Sequence, residues 1–458
     1  MDTSPADALT RRLAARDAVM PEMVARLGWP ADRIRAEREQ ALRRLLTVAT
    51  ERSPWHRERL RGLDPARAGE SDLASIPSMT KTDLMEHFDA IVTDRALRLA
   101  DVNDWIERLP DTPLLGRYHG FASGGSSGLR GVFVYDEAAA ITFNCMVGRW
   151  FMRLGLPPFP PSADAGPIVN LWADRGAHVS FLMVRLFMPP APLPLVSIPA
   201  TTPLPAMVER LNALRPWRIG SYASILALLA TEARAGRLRI APQVVMSCGE
   251  PLLPEARAEV EAAFGVPVLD YWGMSEGMYA MPCGQGAIMH LPDDLCIVEP
   301  VDEAGLPVAA GTPAAKILLT NLFNPVQPLI RYEVTDRVVL RPDPCPCGAE
   351  HRAVESVHGR ADDVFTYAGG VRVHPLALRA PLGRHRHIAE YQVRQTVDGA
   401  HVLLSTTGPV ELEPLGRAME DGLRRAGIAS PRVTLERVDA LGRQASGKMK
   451  RFVPLSSP

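Results

Sequence analysis

Five stretches of the chain hold residue types that could act together on a phosphorylated ligand. The first is "ASGGSSGLRG", residues 122–131, with four glycines and three serines. Successive backbone N–H groups in such a turn form a concave anion site, and serine hydroxyls add donors. It is not the GxxxxGK[ST] phosphate loop, because no Lys-Ser/Thr follows, nor the dinucleotide GxGxxG, which should follow a strand and open a helix. Alone it reads equally well as an ordinary turn. The second stretch runs from "SCGEPL" to "YWGMSEG" and sets a strand end at Glu250, a helix, a further strand, then Trp272 and Glu276. Strand C-terminal ends line ligand crevices in open α/β sheets. An aromatic face there can wall a base and a carboxylate can hold Mg2+; the plainer alternative is a core aromatic and a solvated glutamate. The third and fourth are "LIRYEVTD", ending at Asp336, and "HGRADD", with Arg360 and Asp362. An aspartate at a strand end can accept two ribose hydroxyls and an arginine can contact ribose or phosphate, although each alone also reads as surface charge. The fifth is "RQASGKMKRF", where Lys448 follows a glycine turn and is either an exposed cation or a mobile charge for a phosphate.

A different chemistry is written in the cysteines. "CPCG" places Cys345 and Cys347 too close for a relaxed disulfide, in a compact turn able to grip a soft metal. "PCGQGAIMH" adds Cys283 and His290, completing a closed Cys3His set that suits structural Zn2+; His351 is the alternative imidazole, and free buried thiols the alternative state. Cys145 and Cys296 read as core residues.

These residues need elements to hold them. "AEREQALRRLLTVATERS" has helical apolar spacing, and "SMTKTDLMEHF" opens with hydroxyl residues suited to capping. Between residues 167 and 322 short β-like runs ("PIVNLWA", "RIGSY", "QVVMSCG", "PVLDYWG", "AKILLTNL") alternate with helical patterns ("ASILALLATEARAG", "LPEARAEVEAAF"). That alternation predicts a layered α/β domain. Near residue 360 the pattern changes. "AEYQVRQTVDGAHVLLST" alternates like a hairpin, "LEPLGRAMEDGLRRAG" is helical and "SPRVTLERVDAL" strand-like, so a small α+β unit is expected. With 458 residues, at least two domains are expected. The 47% hydrophobic and 22% charged content with net charge −1 excludes a basic nucleic-acid binder. No signal-peptide order and no bilayer-length apolar run are present, so a cytoplasmic enzyme with no membrane partner is expected.

The ordered set resembles the adenylate-forming enzymes, and within them the phenylacetate–CoA ligase branch. That branch typically shows "GGSTG", "GGEPL", "YGxSE", "RYRTxD", "GRxDD" and a late "GK". The counterparts here are "GGSSG", "CGEPL", "YWGMSE", "RYEVTD", "GRADD" and "SGKMKR", and "SPWHRERL" and "IPSMTKTDL" extend the likeness toward the N-terminus. Departures are Leu129 where a polar residue is common, Glu333 where arginine is frequent, and "HPLALRAPL" without the branch's glutamate.

The resemblance implies a large α/β N-terminal adenylation region, residues 1–361, and a small mobile α+β domain, residues 362–458, with Asp362 as hinge. It implies ATP held by Ser123, Gly124, Gly125, Ser126, Ser127 and Gly128 at its phosphates. Glu250, Pro251, Tyr271, Trp272, Gly273, Met274 and Ser275 would lie about the adenine, Asp336 and Arg360 at the ribose. Glu276 would bind Mg2+ and Lys448 would bridge the α-phosphate and the acyl carboxylate. Gly369 and Gly370 would let the pantetheine arm of CoA pass, and His119, Trp172 and Tyr222 would face the acid, an aromatic or aryl-acetic one. The implied reaction is acyl-adenylate formation and transfer to CoA. Transfer to a carrier-protein phosphopantetheine or an amine is the alternative, and a non-catalytic nucleotide or acyl binder is the reading from another class. A homodimer is compatible with the resemblance.

Overall fold

The computed structural model describes residues 5–123, 131–157, 159–172, 179–188, 195–200, 202–360, 365–373, 376–382, 387–406, 408–443 and 449–455. These divide into two compact units. One comprises Met1–Asp164, Ala173–Pro194 and Leu269–His358; the other comprises Ala165–Trp172, Leu195–Val268 and Gly359–Pro458.

In the first unit the helix Ala31–Arg52 buries Leu42, Leu45, Leu46 and Ala49 on one face, as its periodicity predicts. Thr80 caps Lys81–Glu86: its hydroxyl accepts from Asp83 N–H, and Asp83 accepts from Thr80 N–H at 2.8 Å. The strands Tyr118–Ala122 and Val132–Asp136 pair antiparallel, from Tyr118↔Asp136 to Ala122↔Val132. The chain turns directly from Asp136 into the helix Glu137–Arg153, which Asp136 caps by accepting from Ala139 N–H at 2.8 Å. A run of neighbouring strands, in the order Asp336–Leu340, Ala353–Arg360, Met289–His290, Met278–Pro282 and Val268–Met274, carries Tyr271, Trp272, Gly273, Met274, His290, Asp336 and Arg360. An antiparallel sheet of Cys296–Val301, Lys316–Asn321 and Tyr332–Val334 stands beside it in sequence.

The second unit has a parallel sheet in the order Val244–Cys248, Arg218–Ser221, Ile168–Leu171 and Leu195–Ser197. Its helices Ala223–Arg234 and Pro254–Phe264 fall where the sequence pattern put them. The C-terminal part is a four-stranded sheet, Arg432–Arg437, Gly399–Thr406, Ile388–Gln395 and Phe452–Val453, packed on Leu412–Arg425. That helix buries Leu415, Gly416, Met419, Gly422 and Leu423, one helical face. Gly399 is obligatory: a Cβ there would lie 1.9 Å from the carbonyl oxygen of Arg432 on the parallel neighbour. Among the described residues no helix is long and apolar enough to cross a membrane.

Candidate functional site

The "YWGMSE" segment is the end of a strand and the turn after it. Trp272 pairs with Ala280, and Gly273 with Tyr279. A Cβ on Gly273 would meet the Tyr279 ring at 2.2 Å, so the ring lies flat over that position, in turn stacked on Phe143 at 4.7 Å. The Trp272 indole N–H donates to Asp336 Oδ2 at 2.7 Å, and the two residues are only 8% and 9% exposed. Two separate motifs of the sequence thus meet in one buried bond. The turn that follows is clamped at its carbonyls: Tyr135 donates its hydroxyl to Ser275 O at 2.8 Å, and Asn321 Nδ2 donates to Glu276 O at 3.0 Å. Gly277 has φ +102°, and a Cβ on it would strike Asn321 Nδ2 at 2.1 Å. Burial and the nearby Glu276 charge hold the Tyr135 phenol well above its ordinary range, so it stays a neutral donor. Glu276 itself is buried.

Tyr135, Asn321, Asn324 and Gln327 are residues the sequence reading passed over. Asn324 donates to Val134 O at 3.0 Å; Gln327 accepts from Val134 N–H at 2.9 Å and donates to Val132 O at 3.1 Å. These buried amides secure the strand that leaves the glycine–serine loop. Their signal was three amides within the otherwise apolar "NLFNPVQP". Ser123 closes the neck of that loop, its N–H bonding Gly131 O and its hydroxyl accepting from Gly131 N–H, both at 2.9 Å. Gly124, Gly125, Ser126, Ser127 and Gly128 lie outside the described residues, as do Asp362 and Lys448. Arg360 ends the strand Ala353–Arg360.

His119 is buried on Tyr118–Ala122, its Nε2 3.1 Å from Glu137 Oε2, while Arg12 Nε donates to Glu137 Oε1 at 2.7 Å. Burial acts to raise the Glu137 pKa, but the His119 and Arg12 hydrogen bonds outweigh it and leave it low. Trp172 and Tyr222 are buried together in the other unit, where a Cβ on Gly220 would touch the Trp172 ring at 2.8 Å. In that same unit Glu250 is a bridge: Oε2 accepts from Ser224 N–H at 3.0 Å and Oε1 from Met449 N–H at 2.7 Å; Pro251 follows it in the loop to Pro254–Phe264. Gly369 and Gly370 have φ of +73° and +75°, with open space at both Cβ positions.

The four soft donors converge. Cys283, His290, Cys345 and Cys347 present ligand atoms all within 4.8 Å of one another. Cys283 Sγ lies 3.6 Å from Cys345 Sγ, and Cys347 Sγ 3.3 Å from His290 Nε2. His290 Nδ1 donates to the carbonyl of His351 at 2.7 Å, which leaves Nε2 as the lone-pair nitrogen toward the sulfurs. His351 therefore contributes its backbone; its own Nε2 lies 3.2 Å from Arg26 O. Trp150 stacks on His290 at 5.1 Å. Burial pushes the Cys283 thiol up to about 12, and a bound cation would reverse that by stabilising the thiolate. Three sulfurs and one imidazole at these separations match a tetrahedron with metal–sulfur bonds of about 2.3 Å.

Comparison with known proteins places this architecture. No family model matches the chain. It superposes on a 2-hydroxyisobutyryl-CoA ligase in complex with an acyl-AMP with a TM-score of 0.70 at 20% identity, over 94% of this chain and 91% of that one. An anthranilate CoA ligase in complex with anthranoyl-AMP gives 0.52 at 17% identity, over 76% and 69%. The fold is that of the adenylate-forming acyl-CoA ligases. In sequence the chain is a homologue of a phenylacetate–coenzyme A ligase of Thermus thermophilus, 26% identical over 368 residues, covering 77% of this chain and 76% of that protein.

Proposed function

We propose that the chain activates a carboxylic acid with ATP as its acyl-adenylate and transfers the acyl group to the thiol of CoA, releasing pyrophosphate and AMP. The observation that carries this reading is the buried Trp272–Asp336 bond, which unites two motifs expected at one nucleotide in a chain homologous to a CoA ligase. In this reading Asp336, with Arg360, takes the ribose. Trp272 walls the adenine, with Tyr271, Gly273, Met274 and Ser275 beside it and Glu250 and Pro251 along it. Ser123 and residues 124–128 take the β- and γ-phosphates. The clamped, buried Glu276 fits a Mg2+ ligand, and Mg2+ when bound neutralises charge on the phosphates.

The acid's carboxylate attacks the α-phosphorus and the bond to pyrophosphate breaks. Charge accumulates on the transferring group, so positioning and cationic contact matter more than a general base. Lys448 supplies the cation between the α-phosphate and the acyl oxygen. The CoA thiol then attacks the acyl carbon, and AMP leaves. Residues 362–458 act as the mobile domain about Asp362, and the open Gly369 and Gly370 let the pantetheine pass. The acid is aromatic or aryl-acetic, faced by His119, Trp172 and Tyr222. The names of two similar proteins, ligases of phenylacetate and anthranilate, support that class. Cys283, His290, Cys345 and Cys347 hold a structural Zn2+, and the enzyme works in the cytoplasm.

The test is acid-dependent ATP–pyrophosphate exchange against aryl, aryl-acetic and aliphatic acids. Exchange with the aryl-acetic or aryl class, reduced at least about a hundredfold in Lys448→Ala, is expected. Acyl-CoA should then form when CoA is added. Thioester on a carrier protein but none on CoA would change the acceptor, and no exchange with any acid would overturn the reading.

A further inference from the structure

The indole of Trp272 does more than present a ring face. Its N–H is committed to Asp336 Oδ2 at 2.7 Å, in a site where both residues are almost fully buried. A buried carboxylate without a donor is costly, and its torsion is free to turn away. The indole N–H at Oδ2 helps to fix the plane of the group and so the direction of its acceptor lobes. Both partners are held from behind. Trp272 lies in a hairpin in register with Ala280. Asp336 opens a strand two residues after Tyr332–Val334, a segment locked by Arg331. That arginine has φ +53° and donates to Ile76 O and Glu299, while its carbonyl accepts from Met79 N–H at 2.9 Å.

We propose that Trp272 is a positioning residue for sugar recognition: through its N–H it orients Asp336, so that discrimination for the ribose hydroxyls depends on the indole nitrogen and not only on the ring face. The inference rests on the proposed reading of Asp336 as the ribose acceptor. It joins base and sugar recognition in one side chain, since the ring that walls the purine also sets the carboxylate that reads the hydroxyls.

The experiment is calorimetric binding of ATP and of 2′,3′-dideoxyATP to wild type, Trp272→Phe and Asp336→Ala, which needs no acid substrate. Phenylalanine keeps an aromatic face and removes the donor. The wild-type preference for ATP over the dideoxy analogue should fall about tenfold in Trp272→Phe, the scale of one charge-assisted hydrogen bond. Affinity for the analogue should fall less than affinity for ATP, because only ATP presents the hydroxyls that Asp336 reads. Equal weakening toward both nucleotides, or no change in the ratio, would overturn the inference and leave the nucleotide site standing. A preference that survives Asp336→Ala, or no ATP binding by the wild type, would instead remove the ribose assignment beneath it. Should Trp272→Phe not fold, the Trp272 indole N–H resonance of the wild type, assigned by its displacement in Asp336→Asn, answers the same question. It should shift on adding ATP and shift less with the dideoxy analogue; equal shifts would sink the proposal.

Discussion

His290 could meet the three sulfurs with either a proton or a lone pair, and a backbone carbonyl decides which. Because Nδ1 donates to His351 O, Nε2 is the donor nitrogen aimed at the cluster. A ligand set oriented this way, with three of its four residues buried and Trp150 over the ring, should fill with zinc on expression. Purified protein should contain about one Zn2+ per chain by metal analysis, a stoichiometry that follows from one closed tetrahedral site. Cys345→Ser should lose most of it and melt several degrees lower, at roughly 2–4 °C per kcal/mol in a large domain. Full metal content in that variant would exclude Cys345 as a ligand. Three thiols and a histidine were legible in the sequence because soft donors in a C-x-C turn have few other uses. The choice between His290 and His351 was not, since it depends on a side-chain direction that only packing fixes. Asn321, Asn324 and Gln327 were missed for a related reason: an amide that completes a buried strand's hydrogen bonds has the same letter as one in a surface loop.

The helix Glu137–Arg153 makes polar contacts at both of its own ends, and no motif in the sequence marked it. Glu137 in its first turn meets Arg12 and His119. At its last turn Arg149, Trp150 and Arg153 share one face. Arg149 binds Asp294 at 2.8 and 2.9 Å with both side chains 0% exposed, and Arg153 donates to the carbonyls of Leu27 and Cys347, each at 3.1 Å. Its charged buried face was not legible, because arginine normally marks the solvent side. A buried pair contributes little net stability when intact but costs heavily when halved. Arg149→Ala should therefore lower unfolding free energy by about 3–5 kcal/mol. Arg149→Met combined with Asp294→Leu should recover most of that loss. Chemical denaturation measures both, and a double variant no better than the single would locate the cost in packing. Burial opposes ionisation of Asp294, yet Arg149 outweighs it and holds the carboxyl below its ordinary 3.8. The pair's contribution is thus present at neutral pH and fades as pH falls through the lowered value.

At the scale of the molecule, the strand–helix alternation was readable because burial imposes periods of 2 and 3.6 on any chain that folds this way. Which distant segments would share a compact unit was not, since residues far apart in the chain, such as Glu250 and Met449, carry no local period that pairs them. In the second unit the C-terminal part is joined to residues 195–268 by hydrogen bonds between described residues. Arg443 donates to Ser224 Oγ at 2.9 Å and to Glu390 at 2.6 Å, and Glu250 accepts from the amides of Ser224 and Met449. Ser224 is the second residue of Ala223–Arg234, a helix whose first N–H groups have no partner within it, so an external carboxylate is a natural cap. Glu250 spends its other oxygen on the residue that follows Lys448 in sequence. Glu250→Ala removes one acceptor from two amides far apart in the chain. Hydrogen exchange should then accelerate at both Ser224 and Met449, by about tenfold for roughly 1.4 kcal/mol of lost hydrogen bonding at each, while peptides from Leu269–His358 keep their rates. Acceleration at Ser224 alone would mean that Glu250 caps the helix without anchoring the C-terminal strand. Acceleration at both, together with slower pyrophosphate exchange, would tie the seating of the segment around Lys448 to one carboxylate on the opposite side of the contact.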